Sequence, residues 1–192
     1  MAKVFTIALM AIAGVSAAPR PAAAGEAPAE FIRTLGDQAL AVMRSDAPLA
    51  QKAAYFHQML RRDFDLDGMS RFVLGPYWRI ATAAQRQEFR DLLEDYIVRF
   101  EGVRLAQYGG EGFRPIGSRT DPAGMVVTSQ IVLSQGSPIE IDWRLASSKG
   151  LYKISDLAIN GISMVLARRS EFTAVIERNG GQVEGLLALL RR

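Results

Sequence analysis

The sequence predicts an α+β fold in which helices precede and follow an antiparallel meander of four strands. From Ala27 to about Tyr108, apolar residues recur at spacings of three and four, as on one face of a helix. From Gly112 to Asn160, short segments of alternating character are separated by Gly- and Pro-bearing links. Helical spacing returns at Ile162. The periodicity changes near residue 110 without an internal repeat, which indicates one domain over residues 25–192.

The first half of the chain predicts four helices. The first covers 28–45, and the second begins at Pro48, which suits a first turn, and ends near Phe64. A short helix, Leu66 to Leu74, ends at Gly75-Pro76. The fourth and longest helix opens at Thr82, with Gln85 completing a capping box. Its apolar side consists of Phe89, Leu92, Leu93, Tyr96, Phe100 and Val103.

The carboxylates of this long helix predict a solvated face. Glu88, Asp91, Glu94 and Asp95 fall mostly away from the apolar side and are interleaved with arginines. Such a pattern is typical of exposed helices whose side chains form ion pairs with one another. We therefore interpret these carboxylates as surface residues and assign them no catalytic role.

The predicted strands lie near 113–119, 125–133, 138–146 and 151–159. Short links make neighbouring strands antiparallel. The third strand places Ile139, Ile141, Trp143 and Leu145 on one face and charged residues on the other. The apolar face is therefore predicted to be covered by other elements and the charged face to contact solvent. In the fourth strand the alternation of apolar residues changes from Tyr152 and Ile154 to Leu157 and Ile159, which predicts a bulge or a bend near Asp156. Helices then run from Ile162 to about Arg178 and from Val183 to Leu190.

The first 24 residues predict a cleaved secretory signal peptide. Lys3 gives a positive start, Val4 to Val15 is an uncharged and mostly apolar run, and small residues follow. We place the cleavage after Ala24, with Ala17 as the alternative. No later segment is apolar for long enough to cross a bilayer. The mature chain is therefore expected to be an exported, soluble periplasmic protein.

Charge and cysteine content exclude several classes of function. The formal net charge of +3 falls to +1 once Lys3 and Arg20 leave with the signal peptide, so nucleic acid is not an expected partner. The absence of cysteine excludes disulfides, thiolate nucleophiles and zinc–thiolate sites.

The segment "RRDFDLDGMSRF" begins like a calcium-binding loop. Asp63, Asp65 and Asp67 alternate before Gly68, but Arg71 and Leu74 occupy positions that need oxygen ligands. We interpret this segment as a polar turn between helices and expect no metal.

No pattern of reactive residues predicts an enzyme or a cofactor site. His57 is the only histidine, and G-x-S-x-G, P-loop and G-x-G-x-x-G motifs are absent. A hydrolase that relies on carboxylates alone is left open by the residues.

Three blocks of sequence resemble the toluene-tolerance (Ttg2) family, which comprises Mla-type periplasmic phospholipid shuttles and relatives encoded with hopanoid biosynthesis genes. They are "FDLDGMSRFVLGPYWRIATAAQRQEF" (64–89), "YKISDLAINGISMVLARRSEF" (152–172) and "RNGGQVEGLLALLRR" (178–192). The resemblance implies helices packed on a curved four-stranded antiparallel sheet, with an apolar lipid pocket between the layers.

The resemblance and the apolar pattern together give a predicted set of lipid-binding residues. Pocket walls and core walls have the same composition, so a filled core is the alternative for each, and for Tyr96, Trp143 and Tyr152 lining and plain packing are equally compatible with the sequence. The set is Phe72, Leu74, Tyr77, Trp78, Leu93, Tyr96, Phe100, Val127, Ile131, Ile141, Trp143, Tyr152, Ile154 and Met164.

The resemblance also implies a function and partners. The chain would be a monomeric, non-enzymatic carrier of phospholipid between an inner-membrane ABC transporter with an MCE-domain protein and an outer-membrane lipoprotein–porin complex. A carrier of hopanoid or another polycyclic lipid, a carboxylate-dependent lipid hydrolase and an adaptor without ligand are the alternatives. One departure bears on the cargo: Glu101-Gly102 stands where relatives carry an aromatic residue, so either Glu101 points outward or the cargo end of the pocket is altered.

Overall fold

The computed structural model describes residues 26–101, 112–122, 124–148 and 151–192. The predicted signal peptide with its cleavage site, the continuation of the long helix toward Tyr108 and the side chain of Glu101 lie outside the described residues. The helices are α1 (Glu26–Arg44), α2 (Leu49–Asp63), α3 (Leu66–Leu74), α4 (Tyr77–Ile80), α5 (Ala83–Tyr96), α6 (Met164–Arg178) and α7 (Val183–Leu190). A π-helical segment, Ile97–Glu101, continues α5.

The strands form one antiparallel sheet in the order β1-β2-β3-β4-β5. Their bounds are β1 Gly112–Asp121, β2 Gly124–Val132, β3 Ile139–Ser148, β4 Leu151–Ile159 and β5 Ile162–Ser163. The α+β class and the meander are confirmed, but the sheet has five strands where four were predicted. Asn160 and Gly161 both adopt positive φ angles, of 48° and 83°, and turn the chain directly from β4 into β5. An Asn-Gly pair is the usual sequence for such a two-residue hairpin, so the signal for the fifth strand was present.

The predicted irregularity in β4 is confirmed. Arg144 pairs with Asp156 and Leu145 with Ile154, so Ser155 is the extra residue of a bulge. This bulge explains why the apolar phase of β4 changes partway along the strand. The buried face of β3 is also confirmed, because Ile139, Ile141, Trp143 and Leu145 are all buried.

The start of α3 explains the alternating aspartates. The Asp65 carboxylate accepts a hydrogen bond from the Gly68 backbone N–H at 3.0 Å and so caps the helix. Asp63 pairs with Arg62 at 2.7 Å, and Asp67 pairs with Arg90 at 2.8 Å. The three aspartates therefore serve separate structural contacts.

The long helix begins as predicted but does not continue as one regular helix. Thr82 and Gln85 form the capping box, with both backbone-to-side-chain bonds at 3.1 Å. After Tyr96 the chain changes to π-helical geometry, which shifts the residues that follow around the helix axis. The periodicity of the sequence alone did not reveal this change.

The helices pack on one another and on one face of the sheet. Helix α1 lies on β1, α6 contacts β4, and α3 packs against α6. In the helical layer, Phe89 and Phe172 meet edge to face with their centroids 6.1 Å apart. Phe172 meets Tyr96 in the same way at 5.6 Å, so these rings join α5 to α6.

Candidate functional site

A cavity of about 430 Å³ lies between the helical layer and the sheet. Helix α3 supplies Met69 and Val73, and α5 with the π-helical segment supplies Leu93, Tyr96 and Ile97. The opposite wall comes from the end of β4 and from the β5–α6 junction. Its residues are Leu157, Ile159, Asn160, Ile162, Met164, Val165, Ala167 and Arg168, and Phe64 completes the lining. We call this space the large cavity.

The polar groups of the large cavity are concentrated on its β5–α6 side. The Asn160 side-chain oxygen accepts a hydrogen bond from the Glu140 N–H at 3.1 Å. The Arg168 guanidinium lies 5.3 Å from the centre of the Tyr96 ring and is ion-paired with Glu171. Ile162 lines the cavity and is nevertheless 62% exposed. These residues identify the mouth of the cavity, where an apolar interior meets solvent.

A second, smaller cavity of about 110 Å³ adjoins the large one. Its walls come from α1, α2, the π-helical segment and the buried face of β1 to β4. Phe64, Ile97 and Leu157 line both cavities and therefore form a partition between them. Ile97 is the first residue of the π-helical segment, and its backbone N–H still bonds to the Leu93 carbonyl as in α5. π-Helical turns inside α-helices are frequent at functional sites.

The structure places six of the predicted lipid-binding residues in the two cavities. Leu93, Tyr96 and Met164 line the large cavity. Ile131, Ile141 and Trp143 line the small one. Trp143 is held there because its indole N–H donates to the buried Ser129 hydroxyl at 2.8 Å.

Eight of the predicted residues line neither cavity. Leu74, Val127 and Ile154 are fully buried in the surrounding core. Tyr152 packs beside Phe31 with the ring centres 6.4 Å apart. The remaining four are Phe72 and Phe100, which are exposed, and Tyr77 and Trp78, which are partly buried against the core. Lipid contact stays a prediction for the whole set.

Several lining residues were missed. Phe64, Met69 and Val73 lie in the connector and short helix, which the sequence presented as ordinary structure. Leu157 and Ile159 follow the bulge in β4. The change in the alternation of apolar residues along this strand was the signal that could have placed them on the inner face.

A buried carboxylate lies on α5, contrary to the prediction of a solvated face. Glu94 is 4% exposed, and its carboxylate accepts hydrogen bonds from His57 Nδ1 at 2.7 Å and from Arg61 Nε at 2.8 Å. Burial by itself raises the pKa of Glu94, but the hydrogen bonds from Arg61 and His57 outweigh it and lower the pKa below its usual value. The prediction was wrong for Glu94 because α2 packs across this side of α5. The same contact gives His57 a polar partner.

The described residues contain neither a cluster of metal ligands nor a membrane-spanning helix. Among them, no three His, Cys, Asp or Glu side chains converge as a metal ion would require. None of the helices in the described ranges combines the length and apolar character that a bilayer crossing requires.

The architecture defines a class of α+β protein whose distinctive feature is an apolar cavity between a helical layer and an antiparallel sheet. The chain belongs to the MlaC family, because the sequence model of that family, described as MlaC protein, matches residues 33–192.

Known proteins similar to this chain include a toluene tolerance protein and a phospholipid-binding protein of solved structure. Over 126 residues it is 26% identical to the toluene tolerance protein ttg2D of Pseudomonas putida, and the match covers 62% of this chain. The chain spans only 57% of the length of that relative. A phospholipid-binding protein from Ralstonia solanacearum, solved in complex with a phospholipid, shares the fold with a TM-score of 0.72. That comparison covers 85% of this chain and 94% of the other at 23% identity.

Proposed function

We propose that the protein is a periplasmic lipid carrier that binds phospholipid by its acyl chains. The observation that carries the proposal is the large cavity, whose lining is apolar except near the mouth. Its volume of about 430 Å³ lies within the range of small-molecule sites, roughly 300–1,000 Å³. The phospholipid complex of the Ralstonia solanacearum protein, which has the same fold, supports a lipid as the ligand.

The energetics of lipid transfer explain why a carrier is needed. Burying one acyl CH₂ contributes about 0.8 kcal/mol, so two chains of roughly 16 carbons gain on the order of 25 kcal/mol relative to water. A lipid therefore does not cross an aqueous compartment alone at a useful rate. Compared with a bilayer, an apolar cavity offers little net gain, so the exchange is nearly balanced. The direction of transfer then depends on docking partners.

The proposed partners lie in the two membranes. Lipid would be exchanged with an inner-membrane ABC transporter that carries an MCE-domain protein, and with an outer-membrane lipoprotein–porin complex. Membership of the MlaC family supports this assignment. The predicted signal peptide supports export of the chain to the periplasm.

The lipid is proposed to bind with its tails inside and its head group at the mouth. Asn160 and Arg168 lie at this mouth, and both side chains already have protein partners. Phospholipids that differ only in head group are expected to bind within about tenfold of one another, or roughly 1.4 kcal/mol. A thousandfold preference would show a dedicated head-group site and contradict binding by the tails.

The first experiment identifies the cargo. The protein is purified from its native periplasm, and organic extracts are analysed by mass spectrometry. Intact phospholipid supports the proposal. Hopanoid would redirect it to a polycyclic lipid carrier, cleaved lipid would indicate a hydrolase, and no lipid would indicate an adaptor without ligand.

A second experiment tests the cavity. Ala167 lines the large cavity, so Ala167→Trp should place an indole where acyl chains lie and reduce the lipid that co-purifies. The matched control is Ala188→Trp on the exposed side of α7. The proposal predicts that lipid is lost in the first variant and kept in the second, while both delipidated variants melt near the wild-type temperature. In a filled core the same indole would be overpacking, which costs about 1–3 kcal/mol.

A further inference from the structure

A surface pocket, separate from both cavities, is lined by three arginines. It has a volume of about 410 Å³ and lies where the end of α3, the turn into α4 and helix α6 meet. It shares no lining residue with the large or the small cavity. Its residues are Arg71, Phe72, Gly75, Pro76, Arg79 and Arg169, and we call it the arginine pocket.

The arginine pocket carries uncompensated positive charge. Within the described ranges, no carboxylate pairs with Arg71, Arg79 or Arg169, and none of the three guanidiniums donates a hydrogen bond to a described residue. By contrast, Arg90 pairs with Asp67 at 2.8 Å, and Arg168 pairs with Glu171. Three cations around the arginine pocket create a local positive potential and leave many N–H donors facing solvent.

Aromatic rings and a glycine hold two of these arginines in place. The Arg169 guanidinium lies 5.1 Å from the centre of the Phe72 ring, and that of Arg71 lies 5.7 Å from the centre of the Trp78 ring. Gly75 has φ +56°, and a Cβ built there would lie 3.1 Å from Arg169 Nε. The missing side chain of Gly75 therefore lets the guanidinium approach the backbone. Stacking and close approach order the arginines without neutralising them.

Exposed apolar side chains flank the pocket. Phe72 is 39% exposed, and Ile80, which follows Arg79 at the end of α4, is 66% exposed. Leu166 is 55% exposed and lies one turn before Arg169 on α6, so the two side chains are neighbours. Arginines combined with exposed Phe, Leu and Ile are the composition of surfaces that enter the head-group region of a membrane.

We propose that the arginine pocket binds the phosphate groups of anionic phospholipids at a membrane surface. Guanidinium forks match phosphate oxygens bidentately, which gives short and charge-assisted hydrogen bonds. The pocket is open and wide, so a free phosphate ion would stay hydrated and screened there. A bilayer offers many phosphates at once together with an apolar layer for Ile80, Phe72 and Leu166. This site is distinct from the proposed acyl-chain cavity and does not require that cavity to be filled.

The test measures sedimentation of delipidated protein with vesicles. We expect binding to vesicles made of equal parts phosphatidylglycerol and phosphatidylcholine, and none to pure phosphatidylcholine. Each basic residue near an anionic surface contributes about fivefold in affinity, so Arg71→Gln/Arg79→Gln/Arg169→Gln should weaken binding about 100-fold. Raising the ionic strength from about 0.1 M to about 1 M shortens the Debye length from about 10 Å to about 3 Å and should have a comparable effect.

A matched control removes the same charge elsewhere. Arg33→Gln/Arg114→Gln/Arg192→Gln replaces three exposed arginines outside the pocket and should weaken binding less than about fivefold. A version with lysine at positions 71, 79 and 169 keeps the charge and should restore most of the binding. Melting temperatures of all variants establish that they are folded, and the single variant Arg79→Gln serves if the triple variant is not.

Four outcomes would overturn the proposal. Equal loss of binding in the pocket and control variants would show that only net charge matters. Equal binding to both kinds of vesicle would show that the phosphate charge is not recognised. Displacement of the protein from vesicles by millimolar inorganic phosphate at constant ionic strength would indicate a free-phosphate site. Absence of binding to any vesicle would assign the arginines to an acidic protein partner. The proposal that the large cavity binds acyl chains is tested independently, by the amount of lipid that co-purifies.

Discussion

His57 Nδ1 lies 2.7 Å from the Oε1 atom of Glu94, a carboxylate that is almost completely buried where α2 crosses α5. Arg61, one turn after His57 on α2, donates to the same carboxylate at 2.8 Å and 3.1 Å. A buried carboxylate is tolerated only when its oxygens have partners. The single histidine of the chain therefore joins two helices near the cavities.

Removing the histidine should destabilise the fold. His57→Ala deletes one hydrogen-bond partner of a buried carboxylate, so we expect the free energy of unfolding to fall by about 1–3 kcal/mol. Urea unfolding monitored by circular dichroism measures this change. Gln58→Ala, at the exposed neighbouring position, is the control and should stay within about 0.5 kcal/mol of wild type. A loss no larger than that of the control would show that the His57–Glu94 contact contributes little.

Glu94 should make stability depend on pH in the acid range. The folded-state pKa of Glu94 lies below its ordinary value of 4.5. The folded state thus binds fewer protons than the unfolded chain, and the stabilisation is present above pH 4.5 and lost as the pH falls through the folded-state pKa. The Asp142 pKa is also lowered, because a hydrogen bond from Arg119 outweighs burial.

The pH prediction is tested by comparing variants. The difference in free energy of unfolding between wild type and Glu94→Gln should be largest near neutral pH and shrink below pH 4.5. Asp142→Asn, measured in parallel, removes the pH-dependent stabilisation that arises from the lowered pKa of Asp142. A wild-type to Glu94→Gln difference that stays constant from neutral to strongly acidic pH would contradict the assignment.

Asp65 should act as a helix cap and not as a calcium ligand. Asp65→Ala removes the bond to the Gly68 N–H and should cost about 1 kcal/mol, whereas Asp65→Asn keeps an acceptor and should cost a few tenths. Thermal melts of wild type in excess calcium and in chelator should coincide. A shift of more than a few degrees between these two melts would mean that the aspartates do hold a cation.

Gly75 should not tolerate a side chain. Its φ of +56° and ψ of −130° strain any L-residue, and a Cβ would press on Arg169. We expect Gly75→Ala to lower the free energy of unfolding by about 1–3 kcal/mol. Gly117→Ala in β1 is the control, since a Cβ there meets nothing within 4 Å and its φ is not positive. Equal stability of the two variants would refute the strain at Gly75.

Phe64 should limit the space open to the cargo. Phe64→Leu shortens the partition between the cavities, so we expect co-purified lipids to shift toward longer acyl chains, at a cost of about 1 kcal/mol in stability. Mass spectrometry of the extracted lipid measures the chain lengths. Phe172→Leu changes a buried ring that lines neither cavity and should leave the lipid composition unchanged. The same shift in both variants would show that Phe64 is not a specific barrier.

The local elements could be predicted from sequence because their signals are local. Helix α3 was predicted with the bounds Leu66 and Leu74 that the structure shows, and the capping box at Thr82 and Gln85 formed as expected. The buried face of β3 and the bulge near Asp156 followed from alternation and its interruption. In each case the deciding interactions join residues close in the chain or repeat with a fixed period.

Tertiary structure alone decided which apolar residues line a space and which fill the core. Val127 and Trp143 are paired across β2 and β3, yet Trp143 borders the small cavity while Val127 is enclosed in the core. Composition does not distinguish them, because a cavity wall and a core wall have the same chemistry and differ only in whether another atom lies opposite. The sequence determined the α+β order, the bounds of α3, the start of the long helix at Thr82 and the buried face of β3. The burial of Glu94 and the placement of Phe64, Ile97 and Leu157 between the cavities depend on contacts between segments far apart in the chain, which local periodicity does not encode.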